Sequence, residues 1–175
     1  MEKNEAITKP KKKKRDAKSY AIEFFAKVGM TAAVLWLLLT YVAGVYVNHS
    51  NSSYPMIKDG DLCLTYKLES PAQGEVVAYE TEDGIRFGRV IALSGDSVEI
   101  KDDHIAVNGL GVFDETVYAT SAEGSAISYP YKVPEGCVFV LNDHRNDISD
   151  SRKSGGIKLD DCRGKVVFVM RRRGI

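Results

Sequence analysis

The sequence predicts a mostly β protein: an antiparallel β domain preceded by one N-terminal transmembrane helix. Three observations predict it. A run of twenty residues, Val28 to Val47 (VGMTAAVLWLLLTYVAGVYV), carries no charge. Everything after it breaks into short segments rich in Val, Ile, Tyr and Phe, separated by Gly, Asp, Asn and Ser. No helical period longer than a turn or two appears beyond that run.

Residues 1–27 form a basic N-terminal segment, with nine Lys or Arg against four acids; the remainder holds fifteen against twenty. The dense cationic stretch Lys11 to Lys18 (KKKKRDAK) lies just before the apolar run. Such a flank stays in the cytoplasm under the positive-inside rule. Twenty residues at helical rise span roughly 30 Å, the hydrocarbon thickness of a bilayer. Tyr41 and Tyr46 lie toward the far end, as an interfacial belt places them. Residues 28–47 therefore read as a single-pass anchor with the N-terminus inside and the C-terminal domain extracellular. A cleaved secretory signal fits less well, because its apolar core is shorter and a small-residue cleavage site follows it. A basic run abutting a membrane span is ordinarily topology and lipid contact, so no nucleic-acid partner is expected.

Residues 48–175 supply 128 residues, enough for their own core. Candidate strands are Leu62–Tyr66, Glu75–Glu80, Phe87–Leu93, Ser97–Lys101, Ile105–Val107, Val138–Leu141 and Lys165–Arg171. SVEIKDDHIAVNG predicts a hairpin, with two alternating arms around Asp102-Asp103 closed by Asn108-Gly109. Gly109 to Pro134 is rich in small and polar residues and reads as a surface insertion. Cys63, Cys137 and Cys162 are an odd count without metal-site spacing, and Cys63 and Cys137 sit in apolar runs as small hydrophobes. Whether two of them pair is not fixed by the sequence. No metal and no cofactor is indicated.

Two stretches carry chemistry. SNSSYPMIKDGDLCL holds several hydroxyls on a loop stiffened by Pro55 and turned by Gly60-Asp61, directly after the apolar run. On its own, a serine-rich linker after an anchor is common. VFVLNDHRNDISDSRKSGG carries alternating acids and cations, and such potential Arg–carboxylate forks lock a loop more often than they catalyse. Asp143, Arg145, Asp150 and Arg152 are the expected scaffold. A third detail is odd: Gly88 stands in the middle of the strand RFGRVIALSGD, where a glycine forfeits packing.

In order along the chain stand an apolar anchor, S-x-x-P-x-[IL]-x-x-G-D, R-V-I-x-x-x-G-D and N-D-x-R-x(4)-D-S-R-x-x-G. This order resembles the bacterial type I signal peptidase family from about Ser19 to the C-terminus. The family cleaves exported preproteins at the outer membrane face with a Ser–Lys dyad, in which a desolvated neutral lysine accepts the serine proton. A backbone N–H and a nearby hydroxyl stabilise the oxyanion.

The resemblance puts the nucleophile at Ser52 and the oxyanion-hole hydroxyl at Ser50, with Pro55 and Met56 at the substrate-binding rim. The residue after the nucleophile, usually methionine, is Ser53. The lysine position is Gly88, so the general base is absent. The serine that hydrogen-bonds the lysine amine falls on Ile148, which has no side-chain donor or acceptor. Asn142 replaces a glycine before Asp143, and His144 replaces an asparagine after it. The space left by Gly88 is expected to enlarge the pocket. His49 and His144 are the possible substitute bases, while His104 belongs to the hairpin surface.

The resemblance thus implies a membrane-anchored protein that keeps the fold and an extended-peptide cleft with little or no peptidase activity. It is similar to the signal-peptidase-like proteins of Gram-positive pilus assembly, with exported preproteins or pilus subunits and the bilayer as partners. The alternative is an active serine endopeptidase removing signal peptides through Ser52 and an unconventional base. Oligomeric state is not read from the sequence.

Overall fold

The computed structural model describes residues 16–101, 103–112, 116 and 118–171, so the cationic run Lys11–Arg15 and the turn residue Asp102 lie outside it. The described chain divides into two units, with the boundary between Leu37 and Leu38.

The first unit contains helix α1, Ala17–Leu37, none of whose residues is buried. Within it Glu23 pairs with Lys27 at i,i+4 spacing. Together with the π-helical turn Leu38–Val42, which opens the second unit, it makes a run of 26 residues whose most apolar 18-residue stretch has mean hydropathy 1.8. That is long and apolar enough to cross a membrane.

Here the sequence reading needs correction. The helix begins at Ala17, not Val28, and residues 43–47 are not helical at all. Ala43–Val47 form strand β1, paired with β2 (Leu62–Tyr66) from Ala43↔Tyr66 to Val47↔Leu62. Val45, Tyr46 and Val47 favour a pleated strand, and a ready partner captures them; hydropathy alone does not separate an apolar strand from a continuing helix.

The second unit further comprises β3 (Val76–Thr81), β4 (Gly84–Ala92), β5 (Ser97–Lys101), β6 (His104–Val107), β7 (Leu110–Gly111), β8 (Tyr131–Lys132), β9 (Cys137–Leu141), β10 (Ile157–Lys158) and β11 (Cys162–Met170). A one-turn helix, α2 (Ser151–Ser154), lies between β9 and β10. One sheet has the order β1-β2-β11-β3-β4-β9-β10; the other has the order β7-β6-β5-β8. All their pairings are antiparallel.

Strand alternation sorts the apolar residues into three cores. Cys63, Val76, Ala78 and Phe87 pack with Ile57 on one face of the large sheet. Val77, Tyr79, Val90, Val138 and Val140 pack on the other. Phe139, Leu141, Ile91 and Ala92 join Val98, Ile100, Ile105, Val107 and Val133 of the small sheet. Hence β9, with all five residues buried, feeds two cores from its two sides. The three cysteines fall in or against three different cores and are all free.

The β5–β6 hairpin keeps the predicted register, Val98↔Val107 to Lys101↔His104. Asn108 and Gly109, at φ 55° and 80°, turn the chain into β7. Both lie in the left-handed region that Asn and Gly tolerate in a two-residue hairpin turn. The insertion after Gly109 is more than surface: Val112, Ala122, Ile127 and Tyr129 pack against the small-sheet core, and Thr120 is buried. One sheet face stays apolar and open, where the paired rows Val45–Leu64–Phe168 and Val47–Leu62–Met170 run across β1, β2 and β11. Val45, Val47, Phe168 and Met170 in these rows are exposed.

Candidate functional site

The serine loop is held from its base. Asn48 is buried; its N–H donates to the Asp61 carbonyl at 2.9 Å, and its amide donates to the Lys58 carbonyl at 3.0 Å. Gly60 N–H returns to the Asn48 carbonyl at 2.8 Å, and Lys58 N–H caps the Asp61 carboxylate at 2.9 Å. Ile57, fully buried, plugs the loop into the sheet. A Gly60-Asp61 turn followed by a strand gives this closure locally, because Gly60 adopts φ 82°.

This loop sits between β4 and the segment after β9. Ser53 Oγ donates to the Phe87 carbonyl at 2.7 Å, and the Ser52 carbonyl accepts from His144 N–H at 2.9 Å. The structure therefore brings Ser52, the Gly88 region and the Asp143–His144 segment together. Ser50 is nearby as well, since Ser52 N–H donates to Ser50 Oγ at 3.0 Å. That bond occupies the N–H that an oxyanion would need. Ser52 is only 2 % exposed, and its Oγ has no hydrogen-bond partner among the described residues.

Among the described residues no base is hydrogen-bonded to Ser52 Oγ. His49 is exposed, and His104 is exposed on β6. His144 packs its ring against Tyr118, with centroids 4.7 Å apart and the planes tilted by 60°, and meets the serine loop through its backbone. Gly88 is buried, and the space beside it is not open, contrary to the sequence expectation of an enlarged pocket. A Cβ built on Gly88 would stand 2.5 Å from Val140 Cγ1, 3.2 Å from the Leu141 carbonyl oxygen and 3.5 Å from Tyr79 Cε1. Val140 and Tyr79 reach it because β4 pairs Gly88 with Val77 on β3 and Val90 with Val140 on β9, so these side chains share a face. The Tyr79 hydroxyl is buried without a partner among the described residues, and burial, then the Asp150 carboxylate, pushes its phenol pKa up. Ile148 is half-buried, and its Cδ1 would stand 2.9 Å from a Cβ on Gly124, so it faces the insertion.

The scaffold is built of two forks. Asp143, buried, takes Arg89 Nε at 2.9 Å and Nη2 at 3.0 Å, while Arg89 Nη1 holds the Gly74 carbonyl at 2.8 Å. Asp150 and Arg152, whose side chains are fully buried, pair at 3.0 Å through Nε and 2.8 Å through Nη2. Asp150 also caps α2 by accepting from Arg152 N–H and receives Asn142 N–H at 3.0 Å. Arg152 also donates to the Arg145 and Asp147 carbonyls, each at 2.8 Å, and to the Ser121 carbonyl at 3.4 Å. Arg145 is buried among them. Pro55 and Met56 are exposed, and Met56 touches the scaffold, its sulfur accepting from Arg89 Nη2 at 3.4 Å. On the Tyr79 face a cavity of about 490 Å³ opens, walled by Arg86, Ser149, Asp150, Lys153 and Ile157.

Arg89, Tyr79, Val140 and the Ser53–Phe87 bond are the site features that the sequence did not single out. Arg89 stands in the R-V-I motif, but its partner Asp143 is 54 residues away. Tyr79 and Val140 look like ordinary core until the strand register is known.

A buried serine on a braced loop, framed by two Arg–carboxylate forks at the edge of an antiparallel sheet, defines a serine-peptidase-like scaffold. The chain belongs to the signal peptidase family: the family model "Signal peptidase, peptidase S26" matches residues 21–171. Signal peptidase I of Bacillus amyloliquefaciens is 29% identical over 157 residues, 83% of this chain and 85% of the relative. That of Bacillus licheniformis is 30% identical over 76% of this chain and 79% of the relative. A signal peptidase I crystal structure from Enterococcus faecalis V583 aligns at TM-score 0.48 and 26% identity, over 55% of this chain and 97% of that chain.

Proposed function

We propose that the protein is a membrane-anchored, non-proteolytic member of the signal peptidase family. It binds exported polypeptides in extended form at the outer membrane face and assists pilus or surface-protein assembly. One observation carries this reading: Ser52 Oγ is buried with no base bonded to it among the described residues, and the lysine position is closed by Val140 and Tyr79. Without a base a serine hydroxyl is a weak nucleophile, and losing the base of a triad-type site lowers the rate by roughly 10⁴ to 10⁶. The Asp143–Arg89 and Asp150–Arg152 forks support a rigid frame for binding. The apolar helix supports anchoring, with the N-terminus in the cytoplasm because of the basic flank, and the apolar rows of β1, β2 and β11 suit the bilayer surface.

The test is incubation of the detergent-solubilised protein with a preprotein, alongside a Ser52→Ala variant. No Ser52-dependent product, together with crosslinking of the outer domain to an exported subunit, is the expected result. A second reading, a working signal peptidase with an unconventional base, is favoured by relatives named signal peptidase I over most of the chain. Cleavage that disappears in Ser52→Ala would establish it.

A further inference from the structure

Strand β4 has an edge without a strand partner, exposed at Gly84, half-buried at Ile85 and Arg86, and buried at Phe87 and Gly88. Its pairing with β9 ends at Arg89↔Leu141, yet β4 continues back to Gly84, and among the described residues no strand pairs with 84–88 on that side. Backbone directions alternate along a strand. Val90 N–H donates to Glu75 on the β3 side, so the even residues turn their backbone toward β3, and Ile85 and Phe87 turn theirs toward the open side. An extended polypeptide adds to such an edge by main-chain hydrogen bonds. At Phe87 the acceptor is already taken by the hydroxyl of Ser53, itself fully buried.

We propose that Ser53 is a built-in stop on this edge: its hydroxyl holds the Phe87 carbonyl, so an incoming strand pairs at Ile85 and is kept from the buried Ser52 hydroxyl. The proposal rests on the reading that the protein holds a client polypeptide extended. The stop follows from residue type. Serine is small enough to lie fully buried against β4 and carries a donor that reaches 2.7 Å from the carbonyl. An apolar side chain in its place has nothing to donate, and the carbonyl then regains a partner only when a client strand arrives. Leaving a buried acceptor unmade in the free protein raises the gain on binding, because an unsatisfied buried group is costly.

The test uses the full-length protein in detergent and a fluorescein-labelled peptide with alanine at alternate positions, as in a signal-peptide cleavage region, followed by fluorescence anisotropy. Ser53→Ala should tighten binding about three- to tenfold, the equivalent of one net hydrogen bond. Ser53→Cys keeps the volume but donates weakly, so it should move affinity in the same direction and decides the matter if the alanine variant does not fold. Equal or weaker binding by both variants overturns the role of Ser53 while leaving client binding intact. Absence of binding in the wild type and in both variants overturns the client-binding reading, and the stop with it.

Discussion

Replacing Gly88 by alanine adds one methyl group to a space that is already full. The new carbon would lie 2.5 Å from Val140 Cγ1, whereas carbon atoms in contact prefer roughly 3.5 to 4.0 Å. Val140 cannot swing aside easily, because it is β-branched and fully buried on a strand paired on both sides. On the other side is the Leu141 carbonyl at 3.2 Å, a backbone atom. Overpacking of this kind costs about 1 to 3 kcal/mol. Gly88 does not occupy the left-handed region, so alanine recovers about 0.4 to 1 kcal/mol through the unfolded chain. The net loss is about 1 to 2 kcal/mol, which lowers Tm by roughly 4 to 10 °C for a domain of this size.

Thermal unfolding followed by circular dichroism reads that shift directly. Val140→Ala removes the clashing methyl, so the double variant should be more stable than the two single losses added together, by about 1 kcal/mol. A Gly88→Ala protein that melts at or above the wild type, or a strictly additive cycle, would refute the closed-slot reasoning. The same crowding governs any attempt to rebuild a dyad. Gly88→Lys combined with Ile148→Ser should remain without Ser52-dependent cleavage, because a full-length Val140 leaves the lysine no room.

Other consequences follow from the same geometry. Asp150→Ala strands the buried Arg152 guanidinium and uncaps α2, so unfolding in urea should show a loss of about 3 to 5 kcal/mol. Asn108→Ala loses a left-handed turn residue whose amide oxygen accepts Ser97 N–H at 2.9 Å; a loss of about 1 to 2 kcal/mol is expected in the same assay. Burial, then the Asp61 carboxylate, pushes the Cys63 thiol from 9.0 up to about 11. The folded state thus favours the neutral thiol: its contribution is complete below about pH 9 and is lost as pH rises toward 11. A Tm that falls across that window, with a shallower fall in Cys63→Ala, is the expected profile; identical slopes would count against it.

The fold class was legible because β-favouring runs and turn residues alternate at short spacing, and the hairpin 97–107 follows from its pattern alone. What escaped the sequence was decided by partners. The apolar stretch at 43–47 is a strand because β2 lies ready to pair with it. The two-residue strands β8 and β10 are too short to carry a period of their own. At the site, the positions of Ser52, Gly88 and Asp143–Arg152 were readable because spacing and charge survive in one dimension. The closing of the lysine slot was not, since it depends on which face of β4, β3 and β9 each residue takes. A glycine in a strand reads as a hole, but here the neighbours have filled it.

The departures from a dyad also form one consistent set. In a catalytic site, donors must be free to meet charge that develops in the transition state. Here the loop's donors are spent inside the protein: Ser52 N–H on Ser50, Ser53 Oγ on Phe87 and His144 N–H on Ser52. The Ser52 hydroxyl has no partner among the described residues, and it is buried. Restoring a base alone would therefore supply a proton acceptor to a site whose oxyanion donor is engaged and whose neighbouring strand edge is capped. A single-residue reversal of Gly88 should leave cleavage at background even where space is made for the lysine, and recovery should require Ser53 to be released from Phe87 as well. Efficient cleavage by a Gly88→Lys, Val140→Ala, Ile148→Ser protein that still carries Ser53 would show that the capped edge is no obstacle.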